Sequence, residues 1–322
     1  MTHLKRTLLG AGLAAMCLTV AAAPSYPERP ITLINPYAAG GPADVLGRAL
    51  AHELEAELGK PVVVENKAGG GASIGAAYVA RAQPDGYTLL LGTSAAHVVT
   101  PLMQKVSYDG IKDFTFVAIV GNQPNMLVVN PQVKAANVQE LIALAQKSPG
   151  DLNYASAGPG SSPHLGGALF GQRAGIDIVH IPYAGAAPAI TDVVGGQVDM
   201  ALLNLSASLP FIQEGRLKPL AYAADKRSPL LPDVPTLAEV GIKDAESASW
   251  YSLAAPVGTP DAVVQALNQA VTRINHKAEY RQAMEAKGVQ LWDMTPQQAA
   301  DFVRRDRQTM SELVKAAGLA AK

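Results

Sequence analysis

The sequence predicts an α/β protein built as two lobes with a ligand cleft between them. Three observations carry this. Short β-rich runs alternate with helical patterns almost throughout the 322 residues, the signature of parallel strands covered by helices. Two glycine-rich turns, NPYAAGGPAD (Asn35 to Asp44) and SAGPGSSPHL (Ser156 to Leu165), stand about 120 residues apart, each between a short apolar run and a helical pattern. Two chain crossings, near residues 124 and 247, leave the termini in one lobe and the middle of the chain in the other. The expected division is 23–123 with 248–322 for lobe 1 and 124–247 for lobe 2. A chain of this length can bury two cores, and the layout is that of a hinged protein.

Residues 1–22 read as an export signal rather than as fold. Lys5 and Arg6 form a basic start, LLGAGLAAMCLTV is an apolar stretch of signal-peptide length, and VAAA offers small residues for cleavage. Pro24 disfavours a cut directly before it, so cleavage is expected after Ala22 and the mature protein in the periplasm. The apolar run is too short for a comfortable membrane span. A lipoprotein cut before Cys17 fits Ala14-Ala15-Met16 poorly.

The elements then follow in order. ITLI (Ile31 to Ile34) is a strand leading through the first turn into VLGRALAHELEAEL. Val45, Leu46, Ala49, Leu50 and Leu54 mark one face of that helix, and Gly59 with Pro61 stops it. PVVVEN (Pro61 to Asn66) is a second strand, and Gly69-Gly70-Gly71 opens a helix carrying Ile74, Ala77, Tyr78 and Ala80. PDG (Pro84 to Gly86) is a turn, and YTLLLG is a strand of the fully buried kind. A second series begins near MLVVNP (Met126 to Pro131) and runs through the VQELIALAQ helix, strand LNYAS, a helix from Leu165 and strand IDIVHI. A helix near Ala189, strand QVDMALLN, helix SLPFIQEG and strand LKPLAYAA complete it. RSPLLPDVPTLAEVG (Arg227 to Gly241) wraps back, and SWYSLAAP (Ser249 to Pro256) is a strand. Two outer helices start at Thr259-Pro260 and at Thr295-Pro296-Gln297-Gln298, the latter a capping box with proline at the first helical position.

Several chemistries are excluded at once. Cys17 is the sole cysteine and falls in the signal, so the mature chain uses no disulfide, thiolate or zinc–cysteine site. Without Lys5 and Arg6, 24 basic side chains face 27 acidic ones, a net charge of −3. That is no nucleic-acid footprint. The histidines at 52, 97, 164, 180 and 276 show no metal-ligand spacing, and neither metal nor cofactor is expected. Pro163 stands where a dinucleotide fingerprint starting at Gly158 would need its last glycine.

Each glycine-rich turn bares backbone N–H groups at a helix N-terminus, which suits an anion, and two of them suit an anion gripped from both sides. The first offers Tyr37, Ala38, Ala39, Gly40 and Gly41 before Pro42-Ala43-Asp44. It is either such a cradle or a tight turn whose Asp44 merely caps its helix. As a like charge, Asp44 fits fixing the loop better than touching an anion. The second offers Ala157, Gly158 and Gly160 for close backbone approach, with Ser161 and Ser162 as donors. His164 is either a general base beside those serines or an anchor for the loop. GASIG (Gly71 to Gly75) matches the nucleophile-elbow pattern in form only, because Ser73 follows three glycines and starts a helix. Ligands in open α/β sheets collect outside the carboxyl ends of strands. That rule adds Ser94, Tyr183, Ala184, Gly185 and Asn204, with Trp250 and Tyr251 near the second crossing, although each could be packing. His180 reads as a structural strand residue.

With these residues assembled, the mature sequence resembles the periplasmic substrate-binding proteins of tripartite tricarboxylate transporters, the TctC or Bug family. The carrying stretches are GGPAD, PVVVENKAGGGASIGA, QPDGYTLLLG, SAGPGSSPHL, IDIVHIPY, APAITDVVGGQVD, KRSPLLPDVPTLAEVG and SWYSLAAPVGTP, in order across about residues 27 to 318. The resemblance implies a non-catalytic receptor of the periplasmic-binding-protein (Venus-flytrap) fold. It implies a carboxylate held between the lobes, largely by main-chain N–H groups and ordered waters at the two turns. The implied partners are a small carboxylate and the membrane subunits of such a transporter, with the receptor itself a monomer.

The chain also departs from that family. Tyr183-Ala184-Gly185 stands where Tyr-Lys-Gly is frequent, Leu203 where an acidic residue often precedes Asn204, and Tyr37 where phenylalanine is frequent. A ligand less polar than an amino acid or citrate is therefore expected, an aromatic or aliphatic mono- or dicarboxylate, with Tyr37, Ala184, Leu203 and Asn204 setting the choice. Two rival functions are a serine hydrolase using Ser73 or Ser161 with a histidine, and a sensing partner of a membrane signalling protein.

Overall fold

One long strand that changes partners along its length organises the molecule. The computed structural model describes residues 26–316 and 318–320; the expected signal segment, with Cys17, lies outside them. β1 (Ile31–Asn35) enters α1 (Pro42–Leu58), which begins on proline and ends at Gly59 with a left-handed φ of 68°. Leu46, Leu50 and Leu54 form its buried stripe, while Val45, grouped with them above, is 37 % exposed. β2 (Val62–Asn66) pairs parallel with β1 at the sheet edge. A tight turn, Gly70–Ala72, starts α2 (Ser73–Ala80), and β3 (Thr88–Thr93) pairs parallel with β1. A π-helical turn, Ala95–Val99, and α3 (Thr100–Met103) follow, neither anticipated from the sequence.

β4 (Phe114–Val129) is 16 residues long, where the sequence reading placed a strand only from Met126. Gly121 and Pro124 are residue types that weaken a strand interior, yet both fit. A Cβ at 121 would lie 2.8 Å from the Gln290 carbonyl of a strand paired antiparallel beside it, so only glycine admits that approach. Pro124 has no N–H to give, and it stands where β4 leaves one partner for another.

The rest of the middle region matches its predicted order. α4 (Val138–Lys147) is capped by Asn137, whose Oδ1 accepts the Glu140 N–H at 2.9 Å. Then come β5 (Asn153–Ser156), α5 (Ser162–Ala174), β6 (Val179–Pro182), α6 (Ala186–Val194), β7 (Met200–Asn204), α7 (Leu205–Gln213) and β8 (Lys218–Tyr222). α5 begins three residues before the expected Leu165 because Ser161 supplies its cap. The proline-rich stretch lies along β8, where Tyr222 donates its N–H to the Pro235 carbonyl. β9 (Ala248–Pro256), α8 (Asp261–His276), α9 (Ala278–Glu285), β10 (Gln290–Leu291) and α10 (Pro296–Ala316) close the chain. The capping box forms as read: Thr295 N–H donates to Gln298 Oε1 at 2.9 Å, and Gln298 N–H to Thr295 Oγ1 at 3.3 Å.

The strand order is β2-β1-β3-β9-β4-β7-β5-β6, with β8 and β10 also on β4. β9 and β4 run antiparallel to their neighbours, so the sheet is mixed rather than wholly parallel. β4 pairs with β9 through Phe114 to Pro124 and with β7 and β8 from Asn125 or Met126 onward. Each half of this continuous sheet carries helices on both faces. Leu50 of α1 and Leu267 of α8 share one core, and Val79 of α2 and Val303 of α10 another. In the other half Leu141 of α4 packs with Phe170 of α5, and Ile190 of α6 with Leu205 of α7. Tyr37 touches three of these four cores, which puts it at the seam between lobes.

Candidate functional site

The first turn is fixed by one carboxylate. Asp44 accepts Gly40 N–H at 3.0 Å and Arg48 Nε at 2.9 Å on one oxygen, and Asn66 Nδ2 at 2.9 Å on the other. Burial alone would raise its pKa, but the bonds from Arg48, Gly40 and Asn66 hold it below the ordinary carboxylate value. Asn35 Oδ1 takes the Tyr37 N–H at 3.3 Å. Gly41 then caps α1 with no side-chain hydrogen bond, so the leading N–H groups of that helix meet no side-chain acceptor.

The second turn closes upon itself. Ser156 Oγ accepts Gly158 N–H at 3.0 Å, Gly158 O accepts Ser161 N–H at 3.1 Å, and His164 Nδ1 accepts Gly160 N–H at 3.1 Å. The donors expected to cradle an anion at 158, 160 and 161 are thus spent within the loop. The ring of His164 stacks on His180 with centroids 3.9 Å apart, and His180 Nε2 shares a 2.7 Å hydrogen bond with Ser156 Oγ. Burial, with the neighbouring His180, brings His164 down to about 4, and burial brings His180 to about 4. Ser161 Oγ donates to Gly158 O at 2.7 Å. The Ser161 hydroxyl is turned away from both imidazoles, Ser156 Oγ is the hydroxyl that meets His180, and His164 is the loop's anchor.

The first turn meets the loop between β6 and α6 across the cleft. Ala38 N–H donates to Ala184 O at 3.2 Å, and a Cβ on Gly185 would stand 3.1 Å from Ala38 N. Between them lies a cavity with about 30 Å³ open to the centre of a water-sized sphere. Its wall takes Gly41, Pro42 and Ala43 from the start of α1, Ser161 and Pro163 from α5, Ala186 from α6 and Asn204 before α7. Four helix N-termini therefore converge on it, and those of α1, α6 and α7 carry no side-chain cap. Tyr37, Thr93, Ala157, Ser249 and Tyr251 complete the lining, which contains no charged side chain.

The polar floor is a buried network. Tyr37 Oη and Thr93 Oγ1 are 3.1 Å apart. Asn204 Nδ2 donates to Gln123 O at 2.9 Å, Asn125 Oδ1 at 2.8 Å and Ser249 Oγ at 3.1 Å. Ser249 Oγ also meets Ser162 Oγ at 2.7 Å, and Tyr251 reaches Gln123 Oε1 at 3.4 Å. Burial raises Tyr37 to about 12 and raises Tyr251 as well, so both phenols stay protonated donors. The network lies where β4 passes from β9 to β7 and β8.

Of the residues named from sequence, Tyr37, Gly41, Ala157, Ser161, Asn204 and Tyr251 line the cavity. Ala38, Gly40, Asp44, Gly158, Gly160, Ser162, His164, Ala184 and Gly185 support it from behind through the contacts above. Ala39 is exposed, and Tyr183 turns its hydroxyl to Asp192 at 2.6 Å. Ser94 and Trp250 point elsewhere: Ser94 Oγ and Trp250 Nε1 donate to one Asp306 oxygen on α10, at 3.1 and 3.0 Å. Leu203 is fully buried in the core with Ile190 and Leu205, so it touches no ligand space. Sequence reasoning missed Thr93 and Ser249 and named Trp250 beside Tyr251, of which only Tyr251 lines the cavity. Strand alternation was the available signal, because it puts Ser249 and Tyr251 on one side of β9 and Trp250 on the other.

The family model described as the tripartite tricarboxylate transporter family receptor matches residues 46–319. The chain is 37 % identical to Protein BugT of Bordetella pertussis over 302 residues, 93 % of each chain. Among solved structures, an R. palustris protein with adipate has a TM-score of 0.90 at 34 % identity, covering 92 % of this chain and 100 % of that one. MatC from Rhodopseudomonas palustris, with bound malate, has a TM-score of 0.86 at 32 % identity, covering 90 % and 100 %.

Proposed function

The chain belongs to the tripartite tricarboxylate transporter family of receptors, and on that premise we propose that it is an extracytoplasmic solute receptor. It closes its lobes on a small carboxylate and delivers it to the membrane subunits of a tripartite transporter. The observation that carries this reading is the convergence of four helix N-termini on a cavity without a charged side chain. Such ends favour negative charge, and in a buried site they do so without a titrating group. The change of partner along β4 supports a hinge there and lobes of 23–123 with 248–322 against 124–247.

In this reading the ligand enters the open form, and its carboxylate meets the start of α1. Closure then brings α5, α6 and α7 to the same group. A ligand shifts that equilibrium only by its preference for the closed form. Micromolar binding needs about 8 kcal/mol, within reach of several charge-assisted hydrogen bonds with some apolar burial. The rest of the ligand faces Tyr37, Thr93, Ser249 and Tyr251. No acid is present on the wall to pair with an ammonium group and no base to pair with a second carboxylate. That favours an aliphatic or aromatic acid less polar than an amino acid or citrate. Hydrolysis finds no support, because the Ser161 hydroxyl is spent on Gly158, Ser156 paired with His180 is fully buried off the cavity wall, and the paired His97 and Ser252 are sealed in the core.

A thermal-shift panel tests the reading. Adipate, benzoate and acetate should raise Tm, and adipate more than malate. A clear shift with aspartate, glutamate or citrate and none with the less polar acids would overturn the ligand class. No shift with any carboxylate would overturn the receptor reading.

A further inference from the structure

The proposed site uses two of the three glycine-rich loops and leaves the third, Gly69 to Ala72, without a role. Its four residues all have positive φ: 123°, 58°, 63° and 75°. Ala72 carries a side chain in that conformation, which side chains adopt at a cost. Such a run must be held by something outside itself.

What holds it includes the opposite lobe. A Cβ on Gly71 would lie 2.0 Å from the Pro159 carbonyl oxygen at the tip of the second turn. Thr100, at the start of α3, donates Oγ1 to Gly71 O at 2.7 Å and lies 3.5 Å from Pro159 O. Across the same seam, a Cβ on Gly160 would come 2.6 Å from Thr100 Oγ1. Gln104 Nε2 steadies the loop by donating to Gly70 O at 3.0 Å. Gly71, Thr100, Pro159 and Gly160 are absent from the cavity wall. The lobes therefore interlock beside the ligand space as well as across it. The glycines at 71 and 160 are explained by this contact between protein surfaces, not by approach to an anion.

We propose that this seam is a closure latch, in which Gly71 and Thr100 act as positioning residues that set the closed population without touching ligand. The proposal rests on the reading of the cleft as a closing carboxylate site. Its signature follows from linkage. A change that lowers the closed fraction weakens every ligand by one common factor, whereas a change on the cavity wall weakens different ligands unequally. It also acts on the protein alone, before any ligand is added.

Spin labels at Glu55→Cys and Lys147→Cys, exposed positions of the two lobes, read the interlobe distance. In ligand-free protein, Thr100→Val and Gly71→Ala should each move the distance distribution toward the longer, open form. Both should raise Kd by a common factor, about tenfold, for every acid among adipate, malate, benzoate and acetate that binds the parent protein. Tyr37→Phe, on the wall, should change those affinities unequally and leave the ligand-free distances alone. Thr100→Val keeps the buried side chain's shape and decides the matter if Gly71→Ala does not fold. Unchanged distances in folded Thr100→Val would overturn the latch, as would losses that differ from one acid to another. If the parent protein bound none of the acids, the cleft reading would fail while the distances still judged the latch.

Discussion

The two glycine-rich turns look alike as sequence and do different work. The first spends one carboxylate, Asp44, on fixing its backbone and leaves the end of α1 open toward the cavity. The second uses its N–H groups on Ser156, Gly158 and His164, and presents a rigid shape. Glycine therefore serves two purposes. Gly41 has an ordinary φ of −83°, and a Cβ there would find its nearest neighbours 3.7 Å away, so glycine leaves space for a ligand. Gly160, at φ 76° against Thr100, leaves space for the other lobe. One turn presents donors and the other presents a shape.

The sharpest way to break this comparison is to fill each glycine. Gly41→Leu should abolish carboxylate binding, a loss of at least about a hundredfold, while Tm in the absence of ligand stays within a few degrees. Gly160→Leu should abolish binding and also destabilise the fold, because the side chain meets both a left-handed backbone and Thr100. Isothermal titration with thermal unfolding reads both. Equal stability losses in the two variants would erase the distinction between the turns.

Acid separates them next. His164 and His180 titrate near pH 4 in the fold against 6.5 as free groups. Between those values the unfolded chain binds more protons, so their contribution is complete above about pH 6.5 and is lost as pH falls toward 4. Protonation removes the acceptor of Gly160 N–H and sets two like charges face to face. Asp44 is also held below its ordinary 3.8, which for an acid favours the charged form, so the first turn keeps its carboxylate through that whole window. Amide exchange should therefore rise at Gly160 before Gly40 as pH drops from 6.5 to 4. His164→Asn should flatten the Tm profile there, and an unchanged slope would contradict the account.

The difference between the turns was not legible in the sequence, and the reasons are physical. Periodicity and caps found most elements, because Leu46, Leu50 and Leu54 or Thr295 with Gln298 act over one or two helical turns. β4 escaped because Gly121 and Pro124 are tolerated there only through partners at Gln290 and Ala248, far along the chain. The same holds for the site. Gly40 to Asp44 is local, so the role of Asp44 could be read. Whether Gly160 faced a ligand or Thr100, and whether Leu203 faced the cleft, depended on contacts that no spacing encodes.

A milder test removes one hydroxyl on the cavity wall. Tyr37→Phe deletes the 3.1 Å contact with Thr93 but keeps the ring at the seam of three cores. A neutral hydrogen bond is worth about 1 kcal/mol net, so affinity for an acid that contacts the phenol should change by roughly fivefold. An acid that does not reach the phenol should be unaffected.

The smallest effects come from the serines. Ser161→Ala removes the cap of α5 and the 2.7 Å bond to Gly158 O, and it should cost about 1 kcal/mol of stability. Ser73→Ala starts α2 on the far side of the third glycine loop, away from the cavity wall. It should leave affinity within about twofold and stability within about 0.5 kcal/mol. A serine-reactive probe should label neither position, since neither hydroxyl faces an imidazole acceptor. Labelling abolished by Ser161→Ala would restore the hydrolase reading and make the second turn a reactive surface rather than a shaped one.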